Sequence, residues 1–146
     1  MTACVIDASV VLAFLDEEEG ADAALSAVNL AEVIGRLIKG GLPAEEVEGV
    51  LAPFPFAVIS FDKADARAAG LLRAVTEPVR RALPSPRRTL SHGDHACLAL
   101  AARLKLPAVT ADREWARYAE AVGVEVKLIR SGRARGRAAP ARAVRA

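Results

Sequence analysis

Residues 3–15, ACVIDASVVLAFL, decide the fold. Residues 3–7 are a short apolar run that ends on an acid, Asp7, and Ala8–Leu15 continues it with helical composition. A short buried strand that feeds straight into a helix opens a parallel α/β layer. The alternation recurs downstream. Phe56–Phe61 (FAVISF), Pro107–Ala111 (PAVTA) and Val124–Ile129 (VEVKLI) read as three further strands. Leu25–Lys39 carries Leu30, Ile34, Leu37 and Ile38 on one helical face, Gly40 and Gly41 stop it, and Pro43 opens a short helix to about Leu51. Asp62 caps a helix running to about Val75 and on past Pro78 with a kink. Leu83–Leu90, with two prolines and the pair Arg87 and Arg88, reads as a loop. Ser91 begins a helix over His92–Leu106, and Arg113–Val122 is the last one. Strands alternating with helices predict an α/β fold on a mainly parallel sheet, with no internal repeat.

The chain has 146 residues, 53% of them hydrophobic and 26% charged, which suits one globular domain and excludes a largely disordered chain. Aromatic residues make up only 4%, so Ala, Val, Leu and Ile must build the core. The longest apolar stretches, Ala8–Leu15 and the proline-broken Gly49–Phe61, are shorter than the roughly 18 residues of a membrane helix. The first residues lack the basic region and cleavage pattern of a secretory leader, so a cytoplasmic location is expected. Cys4 and Cys97 make no disulfide framework and no CxxC pair, and with two His at unrelated spacings they do not suggest zinc.

Charge divides the chain. Residues 131–146 carry five arginines and no acid, which leaves residues 1–130 with 15 of the 20 basic side chains against all 18 acids, a net of −3. We therefore expect one acidic domain over 1–130 and a basic, disordered tail over 131–146.

In an open parallel sheet, ligands bind beyond the carboxyl ends of the strands. Asp7 follows the first strand and Asp112 follows Ala108–Thr110, so both fall at that edge. Asp94 heads the helix that continues through Cys97, Leu98 and Ala101, and Glu32 lies in the helix of residues 25–39. Each has an ordinary alternative. Asp7 and Asp112 suit turns or caps, Ser91-x-x-Asp94 is a capping box, and Glu32 suits a solvated face or a capping box with Asn29. Gathered in one place, four carboxylates would repel and raise one another's pKa unless a cation sat among them. Ligands that are all oxygen select a hard ion, Mg²⁺ or Mn²⁺, and such centres serve phosphoryl-transfer chemistry. No GxSxG, Walker-type loop or GxGxxG is present, and His92 and His95 are badly placed to pair with Cys97.

These four acids, in this order, resemble a PIN domain of the VapC type, the toxin ribonuclease of bacterial toxin–antitoxin pairs. The stretches that carry the resemblance are VIDASVVL (5–12), SAVNLAEV (26–33), LSHGDHACLALA (90–101) and VTADREWA (109–116), and VEVKLIR (124–130) is similar to the last strand of these proteins. It covers about residues 1–130. The resemblance implies a three-layer α/β/α fold and a Mg²⁺ site, with Mn²⁺ as substitute, formed by Asp7, Glu32, Asp94 and Asp112. Asp7 and Asp94 would be direct ligands, and Ser9 and Thr110 would support them by hydrogen bonds. It further implies RNA as substrate, a cognate antitoxin, a homodimer and no membrane. Arg87, Arg88 and Arg113 are the candidate RNA contacts, the Arg pair otherwise a solvated loop. Trp115 reads as a stacking ring or as a core residue of the last helix, and the apolar helices around Leu30–Ile38 and Val47–Leu51 as dimer faces or core.

One departure stands out. Only 25 residues separate Asp7 from Glu32, fewer than the resemblance implies, so much of a first long helix is missing. Residues 16–25 (DEEEGADAAL) leave room for a short helix, and they span roughly 30 Å when extended. Two other readings follow: a non-catalytic PIN-fold module that binds RNA or protein, and a haloacid-dehalogenase-like phosphatase. The latter wants a DxD motif where this chain has Asp7–Ala8–Ser9.

Overall fold

A computed structural model describes residues 2–14, 22–84 and 89–129. Five strands, β1 (Cys4–Ile6), β2 (Ala23–Ser26), β3 (Phe56–Ile59), β4 (Ala108–Thr110) and β5 (Val126–Leu128), form one sheet in the order β3-β2-β1-β4-β5. Every neighbouring pair is parallel, with Cys4 opposite Ala23 and Val5 opposite Ala108. The helices are α1 (Ala8–Phe14), α2 (Ala27–Lys39), α3 (Val47–Leu51), α4 (Lys63–Leu71), α5 (Arg73–Ala82), α6 (His92–Leu104) and α7 (Ala119–Val122), with 3₁₀ turns at Ala44–Glu46 and Arg113–Arg117.

Strand alternation sorts the core into two layers, one on each side of the sheet. Val5, Ala24 and Ala108 face a cluster with Cys97, Leu98, Leu100 and Ala101 of α6, together with Trp115 and Tyr118. Ile6, Ala23 and Leu25 face the other way, onto Val10 and Val11 of α1, Val33 of α2, and Val47 and Leu51 of α3. The result is the expected three-layer α/β/α arrangement. Cys4 packs with the second cluster and Cys97 with the first, so the two thiols lie on opposite faces of the sheet.

Three expectations change. The helix expected from Leu25 is preceded by a strand, β2, that the sequence reading missed. Ala23–Ser26 is buried at every position, so it shows no alternation, and its two alanines read as helix. Ser26 then caps α2, its side chain accepting from the Val28 amide at 3.3 Å, so Asn29 is not a cap. Second, the long helix after Asp62 breaks at Leu72, while α5 runs on through Pro78; the amides of Val75 and Thr76 both bond to the Leu72 carbonyl. Third, Arg113–Val122 divides into a 3₁₀ turn and the four-residue α7. The acidic run Asp16–Glu19 and the tail 131–146 lie outside the described residues. Among the described residues, no helix is long and apolar enough to cross a membrane.

Candidate active site

The strand order places a switch point between β1 and β4. From β1 the chain winds out through β2 to β3; the later strands β4 and β5 fill the other side. The crevice beyond the carboxyl ends of β1 and β4 is where such sheets bind ligands, and Asp7 and Asp112 lie there.

Asp7 is 5% exposed and fixed at both ends. Its amide donates to the Val109 carbonyl at 3.0 Å. Its Oδ2 accepts the Ser9 hydroxyl at 2.7 Å and that of the fully buried Thr110 at 3.1 Å. Ser9 Oγ in turn accepts from the Ala111 amide at 3.2 Å, and Thr110 Oγ1 from the Asp112 amide at 3.0 Å. The two hydroxyls therefore knit Asp7 to the segment after β4. Asp112 itself caps the following 3₁₀ turn, its Oδ1 accepting from the Glu114 amide at 2.9 Å.

Asp94 occupies the third position of α6 and closes a capping box. Its Oδ2 accepts from the Ser91 amide at 2.7 Å, and its own amide donates to Ser91 Oγ at 3.1 Å. The cap and a site role thus coexist in one side chain. Burial pushes the Asp94 carboxyl up to about 6; the charges of Asp7 and Glu32 push in the same direction, against the lowering effect of the Ser91 bonds. Cys97, one turn further along α6, is driven well above the usual thiol range by burial and then by Asp7, Asp94 and Glu32. Asp94 and Cys97 both feel the charges of Asp7 and Glu32, and Cys97 that of Asp94 as well, so the head of α6 lies in a negative field.

Glu32 reaches that cluster from α2. Its Oε1 pairs with Arg36 at 2.5 Å. Its Oε2 would lie 2.6 Å from a Cβ on Gly93, the residue beside Asp94. Asn29, one turn before Glu32 and fully buried, donates Nδ2 to the Gly93 carbonyl at 3.1 Å. Sequence reading weighed Asn29 only as a cap and passed over Gly93, since their link spans 64 positions and exists only in three dimensions. The shortened Asp7–Glu32 segment does not keep Glu32 away from α6. The next residue of α6, His95, is buried and faces α5, with Nε2 3.0 Å from Thr76 Oγ1 and Nδ1 2.8 Å from the Ser91 carbonyl.

Asp94 thus lies within electrostatic reach of Asp7 and Glu32, and Asp112 is linked to Asp7 through Thr110. Among the described residues, however, no three His, Cys, Asp or Glu side chains form a ready-made metal cage. The donor chemistry still fits a hard cation, because the oxygens are carboxylate and the charge pressing on Asp94 comes from other acids. Arg113 is exposed beside Asp112, and Arg87 and Arg88 lie outside the described residues. Trp115 is no stacking ring: it is fully buried in the core. Val47 and Leu51, expected on a dimer face, are core residues too, and only Ile38 of the α2 stripe is well exposed.

The PIN-domain family model matches residues 4–121, and the chain belongs to that family. Within it, the likeness to VapC-type toxins holds. VapBC-5 of Mycobacterium tuberculosis, a member of the VapBC family of toxin–antitoxin systems, superposes with a TM-score of 0.59 at 26% identity, over 88% of this chain and 100% of that one. VapBC2 of Rickettsia felis, solved with a DNA fragment from its promoter, gives 0.64 at 15% identity over 87% and 98%. DNA-bound VapBC from Salmonella typhimurium gives 0.62 at 21% identity over 87% and 98%. The last two show the shared fold. No curated protein matches the chain by sequence. Family membership removes the phosphatase reading.

Proposed function

We propose that this chain is a Mg²⁺-dependent endoribonuclease, the toxin of a toxin–antitoxin pair, with structured RNA such as tRNA as substrate. The observation that carries the reading is the buried Asp7 carboxylate at the switch point of a PIN fold, held there by the Ser9 and Thr110 hydroxyls, with Asp94 within electrostatic reach of it and of Glu32. In this reading Asp7 and Asp94 hold Mg²⁺, or Mn²⁺ in its place, and Glu32 and Asp112 complete the site. Bound there, the cation supplies water activation and neutralises the charge that develops on the phosphodiester.

The rest falls to the chain. Ser9 and Thr110 fix the Asp7 carboxylate through two hydroxyl donors, so one oxygen is oriented before any ligand arrives. Arg113, with Arg87 and Arg88, contacts the RNA backbone. Cleavage leaves 5′-phosphate and 3′-hydroxyl ends without a covalent enzyme intermediate. An antitoxin partner and a homodimer in the cytoplasm belong to the same proposal.

A second reading, a non-catalytic PIN-fold module, draws support from the Arg36 guanidinium on Glu32 and from the open spacing of the acids. The experiment that separates them is incubation of total bacterial tRNA with purified protein and Mg²⁺ or Mn²⁺, against EDTA and Asp7→Asn. Cleavage that needs metal and disappears in the variant supports the ribonuclease. No cleavage by folded, metal-saturated protein supports the module.

A further inference from the structure

We infer that Asn29 and Gly93 are positioning residues that set where the Glu32 carboxylate stands against Asp94; the inference rests on the ribonuclease reading of this cluster. Two helices carry the pair of acids, and the clamp joins them beside both. Asn29 lies one turn before Glu32 on α2, Gly93 immediately before Asp94 on α6, and the 3.1 Å bond from Asn29 Nδ2 to the Gly93 carbonyl ties the helices there. The amide is buried completely, and its Oδ1 has no partner among the described residues. An apolar side chain of that size would satisfy packing at this point without leaving an unpaired acceptor. The retained donor is accounted for by the tie to α6.

Gly93 provides the second half. Its φ is unexceptional, and as the second residue of α6 it gains nothing in backbone freedom that the helix needs. What it supplies is space. A Cβ there would meet Glu32 Oε2 at 2.6 Å and Asn29 Nδ2 at 3.3 Å. The first clash is with the end of a flexible side chain, so the fold yields easily while the carboxylate swings away. Alanine at 93 should therefore spare the protein and damage the site.

The test uses Gly93→Ala and Asn29→Leu, each alone and combined with Glu32→Ala, read by Mn²⁺ titration calorimetry without RNA, by thermal melting and by crystal structures of the metal-free proteins. Gly93→Ala is expected to weaken Mn²⁺ binding roughly tenfold, with an unchanged or higher melting temperature and a displaced Glu32 carboxylate. Combined with Glu32→Ala it should cost no further affinity, a coupling that a merely structural role would not give. Asn29→Leu should weaken binding and widen the gap between α2 and the start of α6. Equal losses in both backgrounds, or a Glu32 carboxylate unmoved in both variant crystals, overturn the inference. A parent protein that binds no Mn²⁺ overturns the ribonuclease reading instead, and the crystals alone then decide whether Asn29 and Gly93 place Glu32.

Discussion

Thr110 and Asp7, 103 positions apart in the chain, share a hydrogen bond of 3.1 Å at the carboxyl ends of two adjacent parallel strands. The Thr110 hydroxyl has two partners, giving its proton to Asp7 and accepting the Asp112 amide at 3.0 Å. Replacement by Val keeps the shape and removes both. Thr110→Val is expected to cost about 1–3 kcal/mol, seen as a melting temperature lowered by several degrees, and to reduce RNA cleavage at least tenfold. An unchanged melting curve would remove Thr110 from the support of Asp7.

Asp7→Asn preserves an oxygen for the Ser9 and Thr110 hydroxyls while deleting a charge that presses on Asp94. Metal-dependent cleavage should fall by two orders of magnitude or more, on the order of 3 kcal/mol in the barrier. The metal-free fold should melt no lower than the parent. Full activity in this variant, or parental activity in EDTA, would refute the metal assignment.

Asp94 gives the metal-free protein a defined pH response. Its folded pKa of about 6 lies above the ordinary aspartate value of 3.8, so the folded state binds this proton more tightly than the unfolded chain does. Its contribution to stability is therefore most favourable below pH 4 and is lost as pH rises from about 4 to 6, on the order of 2 kcal/mol in all. Asp94→Asn should then exceed the parent in stability at pH 7–8 and lose that advantage near pH 4. Urea melts in EDTA at the two pH values measure the difference directly, and a constant difference would contradict the raised pKa.

Trp115 separates core from RNA interface. It is fully buried and its Nε1 has no partner among the described residues, so Phe sacrifices volume but no hydrogen bond. Trp115→Phe should leave tRNA affinity within twofold of the parent, whereas Trp115→Ala should cost about 3–5 kcal/mol of stability. Filter binding and thermal melting read the two effects separately. A large loss of RNA affinity in a stable Phe variant would return Trp115 to the binding surface.

Arg36 and Glu32 form an i,i+4 pair with both side chains in contact with solvent, so its stability value is small. Arg36→Ala should change stability by less than about 0.5 kcal/mol. It should leave Mn²⁺ binding equal or stronger, because a competing cation has gone. A marked weakening in calorimetry would make Arg36 part of the site.

The legible parts of this fold were those where local chemistry and tertiary role coincide. CVI before Asp7, the Ser91–Asp94 box and the TxD step Thr110–Asp112 each announce a strand end or a helix start, and each lies where expected. β2 was hidden because a strand buried on both faces has no period, and alanine favours helix when nothing opposes it. Pro78 drew attention to the wrong break, since α5 accommodates it and the chain turns at Leu72. The acids could be named one by one, yet what joins them could not. Neither Asn29 nor Gly93 carries a local sign of its partner, and Trp115 shows from composition alone neither depth nor exposure.

The pairing of β1 with β4 also sets a schedule. Val5 and Asp7 donate their amides to Pro107 and Val109, and the Asp7 carboxylate waits for the hydroxyl of Thr110. While the chain is being made, residues 4–7 leave the ribosome long before β4 and stay half-paired until some hundred later residues have followed, a long-range closure that is slow by nature. The acidic centre comes into being only once β4 has been made, so a truncated or stalled product ending before residue 107 holds the first carboxylate but lacks the strand that orients it.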